Sequence, residues 1–203
     1  MSELRVALTF DAEHPSRSGN APGSAESILV ALSDAGVRAT FFVQGRWASA
    51  HPAVARRIAT EGHLVGNHSN YHAPMPFLSA EGMRADVEEA ERRIAQHAGA
   101  GVRPWFRCPF GAGADRPDVL AALRSLGYRN VDWDVDTEDW CPERSPRDIR
   151  SAAVDQTLAR GDGTLVLLHT WSAGTATALP AILGDLRAAG ASFVAVDEVL
   201  DGG

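Results

Sequence analysis

Cysteine is scarce, long apolar runs are missing and basic residues are outnumbered, and each shortage removes a class of protein. Two cysteines, Cys108 and Cys141, cannot build a disulfide framework. In a reducing compartment both are expected as free thiols. No stretch reaches the roughly 18 continuous apolar residues that mark a transmembrane helix. Nineteen Lys and Arg against 26 Asp and Glu leave a formal charge of −7. That argues against a nucleic-acid partner or an anionic membrane, either of which selects a basic stripe. The opening MSELRVALTFD enters a strand-like run at once, with no basic region, long apolar region or cleavage site. A cytoplasmic location is therefore expected. Repeats, low-complexity segments and interdomain linkers are missing as well. What is present is 203 residues, 45% hydrophobic, enough for a single domain with a sizeable core.

Seven short runs rich in β-branched or aromatic residues read as strands: 4–10, 38–43, 63–66, 103–108, 128–135, 164–170 and 192–196. Helix-like runs lie between them at 24–35, 51–60, 79–97, 116–126, 145–160 and 176–189. The third is the clearest, with Met83, Val87, Ala90 and Ile94 at helical spacing. Glu88–Arg92 and Glu89–Arg93 make i,i+4 pairs on its outer face, so that charge run reads as solvated surface. Helix-to-strand joins are tight and marked by glycine, the residue that stops a helix in the left-handed conformation. Strand-to-helix joins are long and polar. This alternation predicts a parallel α/β protein, a doubly wound sheet or a TIM-like barrel. In both, ligands bind at the carboxyl ends of the strands, where the long joins gather.

One such join, EGHLVGNHSNYHAP at 61–74, holds His68 and His72 four residues apart. A single helical turn there would point both imidazoles the same way, as a divalent metal needs. Other chemistry falls at the same end: Asp11, Glu13 and His14 after the first strand, Arg107 after the fourth, Asp136, Asp139 and Trp140 after the fifth, and His169 at the end of the sixth. Carboxylates, histidines and an arginine from five strands predict a catalytic site. His51, His63 and His97 fit no motif and read as surface or structural.

Five ordered stretches, TFDAE (9–13), HSNYH (68–72), RCPFG (107–111), DTEDW (136–140) and LLH (167–169), resemble the motifs of the polysaccharide deacetylases. These form carbohydrate esterase family 4, the NodB-homology or chitooligosaccharide deacetylase-like domain. The resemblance covers nearly the whole chain and implies a distorted (β/α)7 barrel of the TIM-like kind. It also implies that two histidines and one carboxylate hold a divalent metal, most often zinc. Such an ion lowers the pKa of water towards roughly 7 and polarises the amide. By the same resemblance Asp11 is the general base, His169 the general acid supported by Asp139, and Arg107 the residue that orients Asp11. The backbone N–H of Phe110 would stabilise the oxyanion, and Trp140 and Leu167 would wall a pocket for the acetyl methyl.

One position departs from the family pattern: its second aspartate, often the metal ligand, is Ala12 here. Residues two apart in a strand share a side, so Asp11 and Glu13 should face the site while Ala12 faces away. Glu13, one methylene longer than aspartate, is then the expected third ligand beside His68 and His72. His14 is its rival, although alternation turns it to the far side and Pro15 favours extended backbone before it. The expected activity is hydrolytic removal of acetyl groups from an N-acetylated sugar, an O-acetylated relative or a related small amide. Two readings compete: a metal-free hydrolase of cyclic imides or ureides, and a carbohydrate-binding domain that has lost catalysis. The presence of Asp11, His68, His72, Arg107 and His169 together counts against the second.

Overall fold

The computed structural model describes residues 4–14 and 23–201. The chain divides into two compact units, one of Met1–Phe10, Arg17–Thr40 and Trp133–Gly203, the other of Asp11–Ser16 and Phe41–Asp132. Strand β1 (Leu4–Ala12) supplies residues to each.

In the first unit β1 pairs with β7 (Thr164–His169) and β8 (Ala191–Val194), and β7 pairs with β6 (Val135–Asp136). The β8 ladder is parallel and runs from Leu4↔Ala191 to Ala7↔Val194. The β6–β7 ladder is parallel too, with Val135↔Val166 and Asp136↔Leu167. Val6, Ala7, Leu8 and Phe10 are all fully buried. Burial on both faces explains why 4–10 reads as a nearly unbroken apolar run. The helices are α1 (Ser24–Asp34), α6 (Pro146–Arg160), α7 (Ala173–Ala188) and the short α8 (Val196–Leu200). Ser145 and Asp148 form a capping box that starts α6, and the Ser172 hydroxyl caps α7 by accepting from Thr175 N.

In the second unit the strand order is β5 (Arg129–Asn130), β4 (Trp105–Phe106), β3 (Leu64–Asn67), β2 (Thr40–Val43). The β3–β4 and β4–β5 ladders are parallel. Its helices are α2 (Gly45–Ala50), α3 (Pro52–Thr60), α4 (Ala80–Ala98) and α5 (Pro117–Ser125). The apolar stripe expected on α4 is buried as read. On its outer face Glu89 pairs with both Arg92 and Arg93, so the expected Glu88–Arg92 pair gives way to an i,i+3 contact.

Parallel strands alternating with helices are the architecture the sequence predicted. The run at 128–135 differs: it is two short strands with a break between them. The reason lies in the carbonyls of Val131 and Asp132, which accept from Nε and an Nη of Arg107 instead of joining a ladder. Helices α2 and α8 were not anticipated. At the joins of α1 and α3 to the next strands, Gly36 and Gly62 have φ of 61° and 84°, the left-handed stop that was expected. Among the described residues no helix is long and apolar enough to cross a membrane.

Candidate active site

The end of β1 sets the first part of the site. Asp11 and Glu13 are buried, and their carboxylates converge on one imidazole, as strand alternation requires. Asp11 Oδ2 lies 3.5 Å and Glu13 Oε2 3.2 Å from His68 Nε2. Glu13 Oε2 also contacts His72 Nε2. Ala12 carries no functional group and is fully buried, while its carbonyl accepts from Gln44 N at 2.9 Å.

His68 and His72 do converge, with Nε2 atoms 3.1 Å apart, but no helical turn brings them together. The segment is a loop in which Ser69 and His72 take positive φ, 61° and 59°. A left-handed residue normally costs energy outside glycine, and a set of hydrogen bonds holds these two in place. Asn67 Oδ1 accepts from Ser69 N at 2.9 Å, and Ser69 Oγ accepts from His72 N at 2.8 Å. Buried Asp86, on α4, accepts from Asn70 N at 2.9 Å and Tyr71 N at 3.0 Å. The start of α2 presses against this loop so closely that a Cβ on Gly45 would lie 2.6 Å from Asn70 Oδ1 and 2.7 Å from Ala90 Cα. Only glycine fits there.

Arg107 is 1% exposed and is engaged around its guanidinium. It donates to Asp11 Oδ1 at 2.9 Å and to the Val131 and Asp132 carbonyls at 3.2 Å each, and it lies 4.1 Å over the Phe42 ring. Its carbonyl accepts from His68 Nδ1 at 2.9 Å. That bond places a proton on Nδ1 and leaves Nε2 as the nitrogen that faces the two carboxylates. Burial alone would push the His68 imidazole down, but the Asp11 and Glu13 charges outweigh it and hold His68 above its ordinary value. His72 goes the other way: burial pulls it down, Glu13 opposes, and His68 adds to the lowering.

Glu13, His68 and His72 offer one oxygen and two nitrogens, all buried, within 4.8 Å of one another. A raised imidazole between two carboxylates marks a pocket with surplus negative charge. The His72 Nδ1 is buried with no hydrogen-bond partner. Donor type, spacing and charge all fit a divalent cation. His14 is not in that triad, but neither does it turn away. It takes φ 53°, so the extended conformation expected before Pro15 is corrected to a left-handed one, and its Nε2 reaches 3.2 Å from Glu13 Oε1. Phe110, also left-handed at φ 59°, is 65% exposed and meets the His72 ring edge-on at 4.4 Å.

The first unit holds a separate pair of its own. Asp139 and His169 are buried, with Asp139 Oδ1 2.6 Å from His169 Nδ1 and Oδ2 accepting from His169 N at 2.8 Å. The Thr175 hydroxyl donates to the same Oδ2, and Ser172 Oγ donates to the Asp139 carbonyl at 3.1 Å. One carboxylate thus fixes both the backbone and the ring of His169. Trp140 is 45% exposed, whereas Leu167 is buried on β7 and its carbonyl accepts from the Thr137 hydroxyl. Asp136 accepts from Glu138 N at 2.8 Å, a turn contact.

Asn67, Asp86, Gln44, Ser172 and Thr175 escaped the sequence reading. Asp86 carried a signal: it falls on the apolar stripe of α4, one residue before Val87. A charge among core positions demands a partner. His63 is buried against the Phe41 ring, a structural role as read. Both cysteines are free thiols.

A family model described as polysaccharide deacetylase matches residues 1–131. A chitooligosaccharide deacetylase from Rhizobium leguminosarum bv. trifolii is 34% identical over 175 residues, covering 82% of this chain and 72% of that protein. Among solved structures, a T48 deacetylase with substrate is 30% identical with a TM-score of 0.83, covering 98% of this chain and 92% of that one. A CE4 family pseudoenzyme from Bacillus anthracis is 29% identical with the same TM-score, covering 98% of this chain and 66% of that one. Shared fold at these identities makes the architecture the distorted α/β barrel of that family. The chain belongs to the polysaccharide deacetylase family.

Proposed function

We propose that this protein is a metal-dependent hydrolase that removes acetyl groups from an N-acetylated sugar, with zinc held by Glu13, His68 and His72. The observation that carries the reading is the buried Glu13–His68–His72 triad beside the Asp11–Arg107 pair. When bound, the cation would polarise the amide carbonyl and acidify the attacking water.

The chain's own residues supply the rest. Asp11 has one oxygen tied to Arg107 and the other aimed towards His68. The second is the oxygen that would take the proton from water, and the first fixes its direction. A base whose aim is lost forfeits much of a contribution of about 10²–10⁴-fold. Asp139 holds His169 through Nδ1, so Nε2 is the nitrogen that would deliver the proton. The carboxylate favours the cationic imidazole that must protonate the leaving amine. The Phe110 N–H would meet the developing oxyanion, and Trp140 and Leu167 would line the acetyl pocket. This is a chemistry of acid, base and charge stabilisation, not of binding alone.

The test is acetate release from an N-acetylated chito-oligosaccharide, followed with the metal content. The protein as purified should contain about one equivalent of divalent metal per chain, the stoichiometry of a single triad. Activity should vanish with a strong chelator and return with zinc. Acetate release that survives the chelator in protein shown to be metal-free would overturn metal dependence, and no acetate release from metal-loaded protein would overturn the deacetylase reading.

A further inference from the structure

Resting on the ligand reading above, we propose that His14 is a positioning residue that divides the two oxygens of Glu13, holding one so that the other faces His68 and His72. The sequence places His14 on the wrong side of an extended strand, since neighbours alternate. The structure removes that alternation at one residue. The backbone turns left-handed at His14, φ 53°, and its N–H donates to the buried Gln44 Oε1 at 3.0 Å. Gln44 is itself tied to the strand through its own N–H and the Ala12 carbonyl. The turn is therefore anchored on the segment that opens α2.

Its consequence is geometric. Glu13 and His14 now point into the same space, with His14 Nε2 3.2 Å from Glu13 Oε1. Glu13 Oε2 is the oxygen that contacts both imidazoles. The His14 ring also packs edge-on against His72 at 4.6 Å. A glutamate has one more torsion to fix than an aspartate, and in this chain glutamate stands where the ligand carboxylate must come from. A donor on the second oxygen fixes that torsion. Histidine after Glu13, otherwise an unexplained choice at a left-handed position, then has a use. Partners of this kind typically contribute about 10–100-fold to metal affinity.

The experiment uses the full chain stripped of metal, with zinc affinity read by competition against a chromogenic chelator and the cobalt-substituted absorption spectrum as a second signal. His14→Asn keeps a residue at ease in the left-handed conformation, but its amide stops short of Glu13. Affinity should fall by about 10–100-fold. In His14→Gln the amide nitrogen reaches about as far as Nε2, and most of the loss should be recovered along with the wild-type cobalt spectrum. Glu13→Gln should lose more than either. Wild-type affinity in His14→Asn overturns the proposal while leaving the Glu13 assignment standing. Equal losses in His14→Asn, His14→Gln and Glu13→Gln overturn it as well, because His14 is then a ligand itself. An undiminished affinity in Glu13→Gln overturns the ligand reading on which the proposal rests.

Discussion

Replacing Arg107 by lysine separates the packing role of this residue from its role through Asp11. The side chain is buried, and its guanidinium donates in different directions, to Asp11 and to the carbonyls of Val131 and Asp132. Lysine keeps the charge and can reach Asp11, but a single ammonium cannot also serve both carbonyls. Each abandoned bond costs about 1 kcal/mol, more where water cannot enter. The expected destabilisation is therefore about 2 kcal/mol. For a chain of this size that corresponds to a fall in Tm of about 4–8 °C. Removing the charge, as in Arg107→Met, leaves Asp11 buried beside Glu13 without its cation and should cost about 3–5 kcal/mol. In deacetylation assays Arg107→Lys should lower kcat with little change in KM, because the arginine aims the base and does not touch the substrate. An unchanged Tm would refute the bonding account, and a large rise in KM at constant kcat would move Arg107 into the substrate site.

Three further outcomes follow from the same geometry. Asp86→Ala strands the fully buried Asn70 N–H and, less severely, that of the exposed Tyr71; it should lose about 2–4 kcal/mol in denaturant unfolding and hold zinc more weakly, and a loss of stability under about 0.5 kcal/mol would show that the loop needs no such anchor. His169→Ala should cut turnover by about 10²–10⁴-fold; because Asp139 acts through His169, the Asp139→Asn, His169→Ala double variant should be no slower than His169→Ala, and additive losses would give Asp139 a separate role. Burial first, and then the charge of Asp132, push the Cys108 thiol up to about 12, so at pH 8 it stays protonated; iodoacetamide should label the half-buried Cys141 and reach Cys108 only after unfolding, and rapid labelling of Cys108 in the native protein would contradict its burial.

The part of this protein written locally could be read locally. Strand alternation put Asp11 and Glu13 on one side and left Ala12 out of the chemistry, because a period of two depends on nothing outside the strand. Helix stops at Gly36 and Gly62, the buried stripe of α4 and the parallel α/β class were legible for the same reason. The five motifs in order carried the family. Tertiary structure decided what depended on partners distant in the chain. The loop that holds the left-handed Ser69 and His72 is anchored at its middle by Asp86, sixteen residues on from Asn70 in α4, which accepts from Asn70 and Tyr71 N–H, so the two imidazoles meet across a loop and not on the helical turn that local spacing suggests. The strand at 128–135 is broken because Arg107 takes its carbonyls. His14 comes round to Glu13 because Gln44, thirty residues on, holds the turn. In each case the backbone conformation is set by a hydrogen bond whose other half lies far away in sequence, and local propensity has no knowledge of it.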